Sequence, residues 1–144
     1  YWFDAIDIPT KGSESINDFS QIVRLEVGKT RVLFTGDLNH PLSDLIAKNS
    51  KDISADILKV PHHGTEGVAS NVFFDKVGAK LALVPAPTHL WKSDRSRRIR
   101  EYFENHKVPV LVNGTVGNVT LTFKGDDYSV ETQIPDPSLK LPRP

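Results

Sequence analysis

An α/β fold, a mixed sheet flanked by helices, is what this sequence predicts, and three observations lead there. Short runs rich in Val, Ile and Leu alternate with segments whose apolar residues recur at helical spacing, the signature of strand and helix in turn. Between residues 31 and 84 the order reads strand, helix, strand, helix, strand. The 144 residues are 38% hydrophobic and 25% charged, a balance that supports one buried core rather than a disordered segment.

Each element follows from its residues. Residues 1–19 open on Tyr1-Trp2-Phe3 and continue through Pro9, Gly12 and Ser13, a turn-rich connecting segment. Ile22, Val23, Leu25 and Val27 predict a strand over 20–27. The turn Gly28-Lys29-Thr30 leads into a second strand over 31–36, making a hairpin. Leu42, Leu45 and Ile46 recur behind Pro41, which suits a helix start, so a helix is expected over 41–49. Residues 55–60 read as a strand stopped by Pro61, 69–77 as a helix through Val72, Phe73 and Val77, and 80–84 as a buried strand. Ser93 is expected to cap a charged helix running to about His106, with Ile99, Tyr102 and Phe103 on one stripe. Three strands follow, over 108–112, 118–123 and 128–132. Residues 134–144 hold Pro135, Pro137, Pro142 and Pro144 and read as a tail.

Composition narrows the chemistry. Lys plus Arg equals Asp plus Glu at 18 each, so no global charge recruits nucleic acid or membrane. No apolar run approaches the roughly 18 residues of a membrane span. With no cysteine, any metal site must be built from His and carboxylate. The chain has no methionine and opens on Tyr1, and further residues are expected before it.

Two strand ends carry the candidate site. Val32-Leu33-Phe34-Thr35-Gly36-Asp37 is an apolar strand ending in a Gly and a carboxylate, and Leu58-Lys59-Val60-Pro61-His62-His63-Gly64 is a strand ending in two histidines. One predicted helix lies between them. A strand, helix, strand unit makes a parallel crossover, which puts both C-terminal ends on one edge of the sheet. Open α/β sheets usually bind ligands in that crevice. Carboxylate oxygen and imidazole nitrogen are donors that zinc or manganese accepts, and Asp37 can bridge two cations. Adjacent histidines do not readily share one ion. One of His62 and His63 is therefore expected to ligate while the other faces substrate.

These segments, with Asn17 through Leu25, Thr65 and the closing run Asn113-Gly114-Thr115-Val116-Gly117-Asn118-Val119, resemble the metallo-β-lactamase superfamily. More narrowly, they are similar to the branch holding the hydrolase domain of ComEC-type DNA-uptake competence proteins and the bacterial phosphorylcholine esterases. The resemblance runs from about residue 17 to 123. It implies an αβ/βα sandwich, of which residues 20–133 form the C-terminal half, and a site for two Zn or Mn ions. In that site Asp37 matches the bridging ligand, His63 a second ligand, and His62 a residue contacting the scissile group. The family's first cluster, His-x-His-x-Asp-His, does not occur here, and Trp91-Lys92-Ser93-Asp94-Arg95 stands where relatives often show His-Pro. The remaining ligands are therefore expected from a missing N-terminal half, without which this chain binds metal poorly.

The expected function is part of a metal-dependent hydrolase acting on a phosphodiester or phosphate ester, a small molecule or nucleic acid, through a water activated by two metals. Arg95, at a helix start after a strand edge, is the candidate anchor for an anionic substrate. Two alternatives stand beside this reading. One is a catalytically inactive half-domain, and the other is an anion- or nucleic-acid-binding module using Lys92, Arg95, Arg97, Arg98 and Arg100. His40 and His106 read as surface residues, His89 as a surface residue or, following the strand over 81–84, one that reaches the same edge, and Trp91 as either core or cleft wall.

Overall fold

A computed structural model describes residues 16–137. A short 3-10 turn, Ile16–Phe19, leads into a five-stranded sheet and a separate two-stranded one. The strands are β1 (Val23–Val27), β2 (Thr30–Phe34), β3 (Ile57–Lys59), β4 (Leu81–Val84), β5 (Val110–Val112), β6 (Val119–Lys124) and β7 (Asp127–Thr132). The helices are α1 (His40–Asn49), α2 (Asn71–Val77), α3 (Thr88–Lys92), α4 (Arg97–Asn105) and the single turn α5 (Asn113–Val116). Sheet order is β1-β2-β3-β4-β5, with β1 antiparallel to β2 and every later pair parallel. The mixed sheet and the parallel crossover from β2 through α1 to β3 are as the sequence predicts. The expected connecting segment and tail lie largely outside the described residues.

Alternation along the strands divides the core between the two faces of the sheet. Leu33, Leu58, Ala82 and Val112 join Leu42 and Ile46 of α1, Phe73, Phe74 and Val77 of α2, and Ile99 and Phe103 of α4 in the larger cluster. Val32, Ile57, Leu81 and Leu111 point the other way, onto Val116 and onto Val130 of the β6–β7 hairpin. Helices therefore cover one face and a hairpin the other. Among the described residues no helix is long and apolar enough to cross a membrane.

The stretch after β4 departs from expectation. In place of one helix capped by Ser93, the chain makes α3, a 3-10 turn over Asp94–Ser96, and then α4. Ser93 turns its hydroxyl back to donate to the Leu90 carbonyl at 2.7 Å, so it closes α3 rather than opening α4. Ser96 donates to the same carbonyl at 3.2 Å, and Arg100 reaches the Trp91 and Ser93 carbonyls. These bonds give the Leu90, Trp91 and Ser93 carbonyls at the break their partners. α3 and α5 have no counterpart in the expected elements because one or two turns are too short to display a period.

Candidate functional site

The C-terminal edge of the sheet gathers the ends of β2, β3 and β4. β2 ends in Thr35-Gly36-Asp37, where Gly36 adopts a left-handed φ of 52° that turns the chain outward. A Cβ there would lie 3.1 Å from that of Ser20, whose hydroxyl accepts from the Asp37 N–H at 3.1 Å. Asp37 is thus fixed through its backbone while its side chain stays 42% exposed. β3 ends in Lys59, then Pro61–Gly64 makes a tight turn in which His62 and His63 both have positive φ, 46° and 59°. Consecutive non-glycine residues in this region are costly, about 1–2 kcal/mol each, and such strain clusters at functional sites.

The two loops meet, as the crossover argument expects. The Gly36 carbonyl accepts from the His62 N–H at 3.3 Å and from Lys59 Nζ at 2.7 Å. Lys59 Nζ also lies 3.9 Å from Asp37 Oδ1, beyond hydrogen-bond range but close enough for Coulomb attraction. Burial of this ammonium pushes its pKa below the usual lysine value, and the Asp37 charge opposes that shift.

The tautomer of His63 follows from its neighbour. Its Nδ1 lies 2.6 Å from the Pro85 carbonyl at the end of β4. A carbonyl can only accept, so Nδ1 carries the proton and the neutral ring keeps its lone pair on Nε2. Metal-binding histidines are commonly oriented by this kind of contact. The His62 ring stands 6.2 Å away, centroid to centroid, with its plane tilted by 57°. Trp91 roofs the turn: a Cβ on Gly64 would sit 2.8 Å from its Cζ3, and the indole is half-buried against the helix-side core. Of the two expected places, core or cleft wall, the packing observed is that of core.

Arg95 sits in the 3-10 turn before α4, not at a helix N-terminus, with its Nε 3.2 Å from Glu66 Oε1 in the loop following the histidines. Both side chains are largely exposed, so the pair adds little stability. Of the other basic residues, Arg97 pairs with Asp94, Arg98 donates to Asn71 and to the Val68 and Ala69 carbonyls, and Arg100 braces α3. His40 and His89 are exposed, and His106 closes α4 with Nδ1 2.7 Å from the Tyr102 carbonyl. His40 lies near Asp44, with Nδ1 3.5 Å from Oδ2.

The donor set suits a divalent cation in kind, a carboxylate with an imidazole whose Nε2 is available. In number it falls short: among the described residues no group of three His, Asp or Glu side chains is placed to hold a metal. Sequence reasoning assigned no role to Lys59, Ser20 or Glu66. For Lys59 a signal was present, a charge inside the apolar run Ile57-Leu58-Lys59-Val60.

The chain is similar to a ComE operon protein. ComE operon protein 3 of Bacillus subtilis (strain 168) is 26% identical over 110 residues, covering 76% of this chain and 14% of that protein. The uncharacterized protein YcaI of Escherichia coli (strain K12) is 24% identical over 127 residues, covering 86% of this chain and 17% of its own length. The chain thus spans under a fifth of each relative. No family model matches it. The ComEC-type resemblance is met in its coarser form, a weak similarity that includes a ComE operon protein.

Proposed function

We propose that this chain is the C-terminal half of a metallo-β-lactamase-type hydrolase domain in a ComEC-like protein, acting on phosphodiesters or phosphate esters. The observation that carries the reading is the convergence of Asp37 with the strained His62–His63 turn at one carbonyl, with His63 Nδ1 engaged by Pro85 and Nε2 left as a donor. Asp37 and His63 would hold Zn or Mn, with the other ligands supplied by a preceding segment. When bound, such cations polarise a phosphoryl oxygen and acidify an attacking water. His62, in the same turn with its ring plane tilted by 57° to that of His63, would stabilise negative charge developing on the scissile group. Arg95 anchors the anionic substrate if it exchanges Glu66 for phosphate oxygens.

A second reading is that, with no group of three such side chains among the described residues, this chain by itself would hold metal weakly and would not hydrolyse. The basic-helix alternative is less favoured, since Arg97, Arg98 and Arg100 are engaged within the fold. Equilibrium dialysis against Zn²⁺ or Mn²⁺, for this chain and for a version extended upstream, separates the first two. The extended protein should take up about two ions and this chain little. Equal uptake in both would sink the half-site reading. In the extended protein, Asp37→Ala should abolish hydrolysis of bis-p-nitrophenyl phosphate, and retained turnover would refute its role in holding metal.

A further inference from the structure

Lys59 stands in an unexpected place. In the register of the sheet it lies between Phe34 of β2 and Leu83 of β4, with Leu111 of β5 next along, so the row is otherwise apolar. Its side chain is only 23% exposed. A half-buried ammonium needs hydrogen bonds to offset its desolvation. Lys59 Nζ finds one on the Gly36 carbonyl at 2.7 Å, while the Thr35 hydroxyl donates to the Lys59 carbonyl at 2.8 Å. These reciprocal bonds clasp the end of β2 to the end of β3 beyond the last paired residues, Phe34 and Lys59.

A carbonyl oxygen has two lone pairs, and that of Gly36 serves the two loops together: one acceptance from Lys59 Nζ and one from the His62 N–H. The Lys59 contact is the shorter, at 2.7 Å against 3.3 Å. Through it one side chain fixes the peptide from which Asp37 emerges and the acceptor on which the histidine turn begins. We propose that Lys59 is a positioning residue, a clasp that sets Asp37 and the His62–His63 turn in register by holding the Gly36 carbonyl. Its consequence for metal uptake rests on the hydrolase reading above, whereas the clasp itself does not.

The experiment has two arms. In the metal-free chain, amide hydrogen exchange is followed by NMR in wild type, Lys59→Met and Lys59→Arg. Methionine keeps much of the apolar stem without the donor, and arginine keeps donor and charge. Exchange at the His62 and Asp37 amides should quicken about tenfold or more in Lys59→Met and recover in Lys59→Arg. The Val60 amide, bonded to the Leu83 carbonyl at 2.8 Å, is the internal control and should not change. No local quickening, or equal quickening at Val60, overturns the proposal, the latter because it would signal only a general loss of stability. In the upstream-extended protein, Lys59→Met should weaken Mn²⁺ uptake about tenfold, the scale of groups that orient metal ligands. Coulomb repulsion alone predicts the opposite, so tighter binding would show Lys59 to be only a competing charge. If the wild-type extended protein takes up no Mn²⁺, the hydrolase reading falls, and the exchange arm still decides the clasp.

Discussion

His62 is held where side chains are disfavoured, at φ 46° and ψ 44°, and its neighbour His63 follows at φ 59°. A sequence that needed only a turn here could have used glycine at each place. Exchanging His62 for Gly should remove a left-handed penalty of about 1–2 kcal/mol, less the entropy that glycine adds to the unfolded chain. His62→Gly is therefore expected to gain up to about 1 kcal/mol in urea unfolding, while losing any role in the site. A clear loss of stability would mean that the imidazole is held by more than its backbone. Gly64 works in the opposite direction. Its φ of 68° and the Trp91 ring leave no room for a methyl, so Gly64→Ala should cost about 1–3 kcal/mol and shift Trp91 fluorescence. The residues that sequence could name, Asp37 and the histidines, announce themselves by chemical type at strand ends. Lys59 showed only as a charge inside an apolar run, and its role stayed hidden because its partner is a backbone carbonyl, which no side-chain pattern displays.

At the level of elements, the strand ends were legible because period and spacing survive in short apolar runs. The break between α3 and α4 was not, since it depends on Ser93, Ser96 and Arg100 converging on carbonyls of the preceding turn, contacts that exist only after folding. α2 shows the readable case: Ser70 precedes it, and its hydroxyl accepts from the Phe73 N–H at 3.2 Å. Ser70→Ala should cost about 1 kcal/mol, and more if loss of the contact with Ser43 also loosens α1. At the far edge of the sheet, Asp52 joins the α1–β3 loop to the first hairpin through Arg24 and Arg31. The Ser54 hydroxyl and backbone N–H, helped by Arg24 and opposed by partial desolvation, lower its pKa from 3.8 to about 2. A carboxyl depressed in the folded state stabilises above its unfolded pKa, and this is lost as pH falls from about 4 through about 2. Asp52→Asn should therefore flatten the acid side of the stability curve, read as a smaller difference between urea midpoints at pH 7 and near pH 2. An unchanged difference would place the acid sensitivity elsewhere.

For the molecule as a whole, the sheet is a plate with unlike coverings: three helices on one face, a hairpin on the other, and the candidate site on the edge between them. The plate must be rigid for that edge to keep Asp37 and the histidine turn in register, and its rigidity requires both faces to be packed. The α/β class follows from periodicity alone, but the hairpin's place does not. β6 and β7 alternate like any amphipathic pair, and nothing in their residues names the surface they cover. Leu111 tests the covering. It is fully buried on β5, facing Val116 of α5 and Val130 of the hairpin rather than α1, α2 and α4. Leu111→Ala should cost about 2–5 kcal/mol, as for other core leucines cut to alanine. Because β5 pairs directly with β4, whose end supplies the Pro85 carbonyl to His63, that loss should reach the site through the sheet. If sheet and hairpin are one cooperative unit, unfolding of the variant followed by far-UV circular dichroism and by tryptophan fluorescence should give coincident transitions at a lower midpoint. A separate early transition would show instead that the hairpin leaves the sheet on its own, and that the site's edge can persist without its second covering.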